Sequence, residues 1–471
     1  MNVVAIGGML SLLPIILALI LAFKTKEAVF SLLFGCVVGV LLASYNPTTG
    51  MSQLFQSALG NGDFIWVAMI EVSIGVMIAF YMKAGVIGAF ADSASHFIKT
   101  RRGASGLGWC LGVLIFFSDY FSPLFAGPIA RPLTDKYKIS REMLAYQLDS
   151  GSAPVCTLIP ISGWAVYIAG LLKGYGPIVD ANHGMSVFIA SIPYNFYGWL
   201  AILLCGLIAF QIIPNFGPMK AAEKRALEEG KVYGDYATPL TGKEMDDIEL
   251  RAGKTPSLLF FLFVPVAIVV VIALGTFFVL GSTKILEAFF AAVAYQAIAL
   301  CIGGYVTGVK DMMDAAYKGI KGVLPAIIIL ALAYCINDIS KALGAQKFIL
   351  DVTSTWMTPA LLPFIAFITG ALISFFTGTS WGTYAILIPF VLPMSFSLSG
   401  GELSTLVFVS IGAVVSGGCF GDHCSPVSDT SVLSSLGAGS DHMDHVRTQL
   451  PYALVAGGLA ALGYLAIGVA L

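Results

Sequence analysis

The sequence has too few charged residues for a soluble globular protein. Lys, Arg, Asp and Glu make up 11% of its 471 residues, whereas soluble chains carry about 25%. Hydrophobic residues make up 58%, and the mean hydropathy is +0.88. Apolar runs of roughly 20 residues recur along the chain, and each can cross a bilayer as a helix. The composition therefore predicts an all-α polytopic membrane protein.

Several other absences narrow the function. No basic cluster suggests nucleic acid, and the eight cysteines lack C-x-x-C spacing, which favours small buried hydrophobes over a redox or metal role. No Walker A pattern and no nucleophile–base spacing are present. We therefore expect a secondary transporter driven by ion gradients, not an enzyme, and no organic cofactor.

Basic residues between the apolar runs predict orientation in the cytoplasmic (inner) membrane. The segment 4–22 lacks a basic start and an A-x-A-like site, so we interpret it as a span rather than a signal peptide. Lys24, Lys26 and the basic patch at 99–102 are expected in the cytoplasm, which places the N-terminus outside. The mixed-charge stretch 214–255 is predicted to be a cytoplasmic linker between two halves, 1–213 and 256–471.

Polar residues interrupt an apolar segment at two places in each half. Segment 104–130 has basic residues on both sides, so it cannot cross once; a re-entrant hairpin turning at 118–123 satisfies both flanks. A broken helix is predicted at 142–172. The second half has a predicted hairpin at 358–395 and a broken helix at 403–438, where we expect unwinding from Gly417 to Thr430.

The two halves share local sequence and the same order of segments. Phe116-Phe117-Ser118 corresponds to Phe375-Phe376-Thr377, and Ser152-Ala153-Pro154-Val155 corresponds to Cys424-Ser425-Pro426-Val427. Five crossings plus one hairpin in each half would invert the second copy relative to the first. Inverted repeats whose broken helices meet at the midplane are typical of secondary transporters that work by alternating access.

The breaks carry the oxygen atoms that a hard cation prefers. Carbonyls, hydroxyls and carboxylates in unwound helices bind Na⁺ in such folds, and intramembrane carboxylates are functional by default; helix capping is the alternative. We predict Na⁺ at Asp149, Asp422 and Asp429. The full set of predicted ion ligands is Asp149, Ser150, Ser152, Asp422, Ser425, Ser428, Asp429 and Thr430. The predicted hairpin-tip or substrate residues are Ser118, Asp119, Ser122, Thr377, Gly378, Thr379, Ser380 and Thr383.

Three further residues are candidates for proton coupling. Glu71 and Asp338 lie in or near spans, where interhelical hydrogen bonding is the alternative role. His423 is expected to act as a proton-sensitive neighbour of Asp422, and a zinc site with the nearby cysteines is not favoured. The run Asp441-His442-Met443-Asp444-His445 is interpreted as a capped helix start, with metal binding and pH sensing as alternatives.

The C-terminal motifs resemble a known family. Gly421-Asp422-His423-Cys424-Ser425-Pro426-Val427-Ser428-Asp429-Thr430, followed by 441–452, is similar to the signature of NhaC-type Na⁺/H⁺ antiporters in the ion transporter superfamily. The resemblance implies a homodimer in which a scaffold holds a mobile elevator domain. It implies Na⁺/H⁺ exchange or, as an alternative, Na⁺-coupled transport or exchange of a small carboxylate or amino acid, as in malate–lactate exchangers.

Overall fold

The chain folds into α-helices. The computed structural model describes residues 8–25, 27–43, 46–116, 119–160, 162–240, 248, 250–280, 284–354 and 358–471. Within these ranges the β-structure is an isolated bridge between Pro239 and Asp441. The predicted all-α class is confirmed for this part of the chain.

The helices of the first half and of the linker come in chain order. They are α1 (Leu13–Thr25), α2 (Ala28–Leu42), α3 (Pro47–Leu59), α4 (Gly62–Lys83), α5 (Val86–Phe97), α6 (Arg101–Leu114), α7 (Phe121–Lys136), α8 (Arg141–Ser150), α9 (Ala153–Cys156), α10 (Gly163–Leu172), α11 (Ala181–Ser191), α12 (Phe196–Ala209) and α13 (Gly217–Glu229).

The second half begins with a short π-helical turn, Leu259–Phe263. Its α-helices are α14 (Val264–Leu280), α15 (Ile285–Ile302), α16 (Val309–Leu343), α17 (Ala345–Ser354), α18 (Leu362–Thr377), α19 (Ser380–Leu398), α20 (Thr405–Cys424), α21 (Asp429–Ala438) and α22 (His442–Ala470).

Seven of the described helices are long and apolar enough to cross a membrane, and an eighth follows if one bent pair counts as a span. The multi-pass prediction is therefore confirmed. The bent pair consists of Asn182–Tyr194 and Phe196–Ala209, which meet at 51°. Pro193 lacks an N–H for the helical ladder, and the Asn195 side chain accepts a hydrogen bond from Gly198 N at 3.1 Å, which starts a new helix.

Helix α16 is longer than a membrane span. Lys310, Lys318 and Lys321 lie in its first turns, within one helix of 35 residues. At 1.5 Å per residue this helix is about 52 Å long, while the hydrocarbon core is about 30 Å thick. The basic first turns therefore extend beyond the apolar layer instead of ending the helix.

Both predicted broken helices are interrupted, but the second break is shorter than expected. Helix α20 continues to Cys424, so Asp422 lies on a helix, and the break is confined to 425–428. The glycines before it serve packing rather than unwinding. A Cβ on Gly421 would collide with the carbonyl oxygen of Ala371, so this glycine lets α18 and α20 approach closely.

The segments predicted as hairpins each form two helices joined by a short turn. Helices α6 and α7 are separated by 115–120, where Ser118 falls outside the described residues. Helices α18 and α19 meet at Gly378 and Thr379. Gly378 has φ +65°, a left-handed conformation that glycine adopts without strain, and Thr379 caps α19 by accepting from Gly382 N at 3.3 Å.

The described part of the linker is docked rather than fully solvated. Arg225 of α13 bonds to Glu142 at the start of α8 at 2.8 Å, and Arg101 bonds to Glu223 at 2.6 Å. Farther along, Thr238 N donates to Asp441 Oδ2 at 2.9 Å. The linker therefore covers the ends of the helices that carry the polar breaks.

Candidate ion site

Asp422 is buried on the last turn of α20 with one oxygen open. Its Oδ2 accepts hydrogen bonds from Ser380 Oγ at 3.1 Å and from Thr430 Oγ1 at 3.4 Å. Its Oδ1 has no hydrogen-bond partner among the described residues. Buried polar atoms are nearly always paired, so this oxygen indicates a place for a proton or a cation.

Asp429 begins α21, directly after the break. Tyr120 OH donates to its Oδ2 at 2.8 Å, and Thr430 N donates to its Oδ1 at 2.8 Å. Asp429 thus receives one hydroxyl donor from the first half and one backbone N–H from its own turn, whereas both hydroxyl donors to Asp422 come from the second half. Unlike Asp422, it also lines a cavity.

That cavity has a volume of about 790 Å³. It lies at the Gly62 end of α4, whereas Lys83 at the other end of this helix lies beside the linker residue Arg251. At 1.5 Å per residue the 22 residues of α4 span about 33 Å, so the cavity opens on the face opposite the linker. Its aromatic and polar lining includes Asn61, Trp66, Tyr120, Tyr167, Tyr334, Asn337, Asp338, Lys341, Thr377, Thr379, Trp381 and Asp429.

The hydroxyls of the second break mainly hold the break in shape. Ser425 Oγ donates to Phe375 O of α18 at 2.7 Å. Ser428 caps α21 by accepting from Ser431 N at 3.4 Å, and its Oγ lies 3.0 Å from Thr430 Oγ1. The capping role that the sequence left open is therefore present for Ser428, and its link to Thr430 leads to Asp422.

Asp149 is also buried, but both of its oxygens are satisfied. Ser431 Oγ and Gln449 Nε2 donate to Oδ2 at 2.9 and 2.7 Å, and Ser434 Oγ donates to Oδ1 at 3.3 Å. These donors come from α21 and α22. Asp149 therefore joins the two halves of the chain and has no open oxygen like that of Asp422.

The other predicted ligands of the first break do not point to an open carboxylate oxygen. Ser150 Oγ lies 3.4 Å from His423 Nε2, and Ser152 Oγ donates to Asp149 O at 2.6 Å. The first break is therefore closed by its own hydrogen bonds and by contacts with α20.

The expectation that His423 neighbours the Asp422 carboxylate is wrong. Its Nε2 lies 3.8 Å from Asp149 Oδ2, and its Nδ1 lies 2.6 Å from Tyr197 OH. Consecutive residues on a helix point about 100° apart, because a turn takes 3.6 residues. Adjacency in sequence therefore placed the imidazole beside the wrong aspartate.

Three of the predicted hairpin-tip hydroxyls donate to backbone carbonyl oxygens rather than to a carboxylate. Ser122 Oγ donates to Gly112 O at 3.1 Å, Thr377 Oγ1 to Ile373 O at 2.8 Å, and Thr383 Oγ1 to Thr379 O at 2.8 Å. Asp119 is buried, and its Oδ2 is unpartnered among the described residues. Ser380 is the predicted tip residue for which the structure places a hydrogen bond on a carboxylate.

The two carboxylates predicted for proton coupling have different surroundings. Glu71 in α4 is fully buried, and neither oxygen has a hydrogen-bond partner among the described residues. It lies near enough to Asp429 for the two charges to interact. Asp338 lines the cavity and accepts from Ser57 Oγ at 2.8 Å, so its interhelical bond is present.

Four contributors were missed from the sequence. Tyr120 follows the predicted Asp119 and reaches Asp429; Ser431, Ser434 and Gln449 reach Asp149. Gln449 lies four residues after His445, on the same face of α22, so helical spacing was a usable signal. The Asp441 run begins α22 as predicted, since Asp441 Oδ1 accepts from Asp444 N at 2.9 Å.

Several known proteins are similar to this chain in sequence. An uncharacterised protein of Haemophilus influenzae is 32% identical over 97% of this chain and 90% of its own length. The malate-2H⁺/Na⁺-lactate antiporter of Bacillus subtilis is 28% identical over 43% of this chain and 44% of its own. The Na⁺/H⁺ antiporter NhaC of Alkalihalophilus pseudofirmus is 29% identical over 32% of each chain.

A match over most of the chain shows which family the protein belongs to. The sequence profile of the Na⁺/H⁺ antiporter family matches residues 155–469. This range includes α20, α21 and the two aspartates that flank the second break. The matched relatives named by function are transporters or antiporters, not enzymes, and sodium is the coupled ion that the family name implies. This chain belongs to the Na⁺/H⁺ antiporter family.

Proposed function

We propose that the protein exchanges Na⁺ for H⁺ across the cytoplasmic membrane, with Na⁺ bound between Asp422 and Asp429. The open Asp422 Oδ1 is the observation that carries this proposal. Around it, Ser380 and Thr430 supply hydroxyl oxygens within hydrogen-bond distance of the same carboxylate. This oxygen-only donor set fits a hard monovalent cation. Asp149 is left out of the set because its oxygens already accept three hydrogen bonds.

Competition between Na⁺ and H⁺ follows from burial. An ionised carboxylate in a dry interior costs several kcal/mol unless a positive charge compensates it. Asp422 is 1% exposed, so it is stable with a proton or with a cation. Binding of one therefore expels the other, which couples their movements.

The proposal includes an architecture and an orientation. Two inverted repeats, 1–213 and 256–471, would place α6–α7 and α18–α19 as re-entrant hairpins and α8–α10 and α20–α21 as broken helices. Elevator movement of these helices in a homodimer would alternate access. With the linker in the cytoplasm, the cavity that Asp429 lines opens to the outside. This conformation would then face outward.

The test uses purified protein in proteoliposomes that contain a pH-sensitive dye. An imposed Na⁺ gradient should change the internal pH in the absence of any organic solute. Liposomes carrying Asp422→Asn protein are the matched control, and they should give no response. A Na⁺-driven pH change of equal size in the variant would contradict the assignment of the ion.

A second candidate function is Na⁺-coupled transport or exchange of a small carboxylate or amino acid. The cavity favours it, because about 790 Å³ exceeds the space that a lone Na⁺ needs. The start of α19 and Lys341 line this space and offer partial and full positive charge to a carboxylate. Na⁺-dependent uptake of a labelled amino acid or dicarboxylate, without a pH change in solute-free liposomes, would favour this candidate over simple exchange.

A further inference from the structure

The histidines at the start of α22 are left unexplained by the ion site. His442 and His445 are 2% and 0% exposed, and both face the hydroxyl of Ser435 in α21. Their Nδ1 atoms lie 3.1 and 2.8 Å from Ser435 Oγ. Two imidazoles therefore share one hydroxyl, and the hydrogens available to the three groups can be counted.

The second nitrogen of each ring must donate. His442 Nε2 lies 2.8 Å from the carbonyl oxygen of Pro426, and a carbonyl only accepts. His445 Nε2 lies 2.8 Å from Gln449 Oε1, which is the accepting end of that amide. Both rings therefore carry a hydrogen on Nε2.

The orientation of Gln449 is assigned by its acceptors. Its Nε2 lies 2.7 Å from Asp149 Oδ2 and 2.6 Å from His423 O. Both neighbours only accept, so the nitrogen must face them and the oxygen must face His445. A flipped amide would place its oxygen against these two acceptors, so His445 always faces the amide oxygen and not the NH₂ group.

The count then leaves the neutral pair one hydrogen short. A neutral imidazole has one N–H, so with hydrogen on Nε2 both Nδ1 atoms are bare acceptors facing Ser435. The serine has a single hydrogen, and Ser431 O at 2.8 Å is a further acceptor for it. At least one buried Nδ1 therefore faces an oxygen lone pair, which is unfavourable.

One added proton satisfies both rings. Nδ1–H of one ring then donates to Ser435 Oγ, and Ser435 Oγ–H donates to Nδ1 of the other, neutral ring. No bond other than the new N–H forms, and the pair carries one positive charge. We infer that His442 and His445, bridged by Ser435, together bind one proton on the linker side of the protein.

The surrounding charges agree with uptake of a single proton. The charged and titratable groups that act on the pair are Asp149 on α8, His423 on α20 and Asp441 on α22 itself. His445 Nε2 lies 3.9 Å from Asp149 Oδ2. On α8, Arg141 donates to Gly439 O at 3.1 Å, near the start of α22. The buried Asp149 carboxylate thus supplies a negative charge that the singly protonated histidine pair balances.

This inference rests on the proposed Na⁺/H⁺ exchange and gives the coupling proton a second position. Asp149 lies near enough to Asp422 for their charges to interact, so a cation at Asp422 weakens the attraction that holds a proton near Asp149. His442 touches neither Asp422 nor Asp429. The proton and the cation would therefore compete through space and not only for the same oxygen atoms.

The test counts protons released by purified, detergent-solubilised protein when NaCl is added in weakly buffered solution. Wild-type protein should release protons over a defined pH range. Ser435→Ala removes the bridging acceptor of the imidazolium, so proton affinity should fall about tenfold and release should begin about one pH unit lower. His442→Gln should release fewer protons per bound Na⁺, and the exposed His96→Gln should match wild type.

Na⁺ binding measured by calorimetry at alkaline pH, where the site has no proton, checks folding and should be unchanged in Ser435→Ala. A Ser435→Ala release profile that superimposes on wild type, with Na⁺ binding intact, overturns the inference and leaves the exchange proposal standing. Absence of any Na⁺-induced proton release from wild-type protein overturns both proposals.

Discussion

The two buried carboxylate regions differ in how completely they are satisfied. Asp149 accepts three hydrogen bonds and lies within 3.9 Å of two imidazoles. Asp422 accepts hydroxyl bonds at one oxygen and leaves the other open. A satisfied carboxylate fixes the arrangement of helices, whereas an open one is costly until a positive charge arrives. Equal burial therefore does not imply an equal role.

The largest effect should come from removing the open carboxylate. Asp422→Asn should weaken Na⁺ binding by at least about 100-fold, because loss of one partner of a buried charge pair costs several kcal/mol. Calorimetric titration with NaCl measures this change. Asp180→Asn, at an exposed helix cap, is the matched control and should bind like wild type.

Removing the Asp149 carboxylate, whose two oxygens are both hydrogen-bonded, should reduce stability more than Na⁺ affinity. Asp149→Asn should lower the free energy of unfolding by about 1–3 kcal/mol, because Gln449 and the serines lose a shared acceptor. Na⁺ affinity at alkaline pH should fall by less than about tenfold, since the lost charge acts only at a distance. Chemical denaturation and calorimetry measure the two quantities. A loss of Na⁺ binding as large as that of Asp422→Asn would remove the distinction between the regions.

The packing behind Asp422 should be sensitive to a single methyl group. Gly421→Ala would bring a Cβ against the Ala371 carbonyl in α18, and overpacking of this kind costs about 1–3 kcal/mol. A thermal melt should show a lower transition temperature. Gly458→Ala, where no heavy atom lies within 4 Å of the new Cβ, should melt like wild type or slightly higher. Equal melting of the two variants would indicate that the α18–α20 contact is looser.

The smallest effect, a shift in pH dependence without loss of the response, should come from Tyr120→Phe. The change deletes the hydroxyl that donates to Asp429 at 2.8 Å, and a hydrogen bond to a charged group contributes about 1.5 kcal/mol at the lower end of its range. The ionised carboxylate becomes less stable relative to its protonated form. The pH at which half of the Na⁺-driven response is reached should therefore rise by about one unit. A shift toward acid pH would show that this hydroxyl does not stabilise the charged form.

The sequence was sufficient for the class of protein and for where its helices break. Pro154 and Pro426 marked the breaks, and the carboxylates nearest them are buried. The full length of α16 was not predicted. The basic stretch 310–321 belongs to the same helix as the apolar segment that follows it, because helix propensity continues across the boundary of the membrane.

Side-chain partners could not be obtained in the same way. Tyr120 and Asp429 are 309 residues apart in sequence, and Gln449 and Asp149 are 300 apart. Such pairs depend on how helices cross, which single-sequence periodicity does not encode. The neighbour of His423 was mispredicted for a related reason, since adjacent residues on a helix face different directions.

The most direct test of the account locates a bound cation. Crystals of the protein soaked in Tl⁺, an electron-rich stand-in for Na⁺, should give an anomalous density peak beside Asp422 Oδ1 and toward Asp429. No peak should lie between Asp149 and the hydroxyls of Ser431 and Ser434. A peak at Asp149, with none at Asp422, would contradict the central claim that the open carboxylate holds the ion.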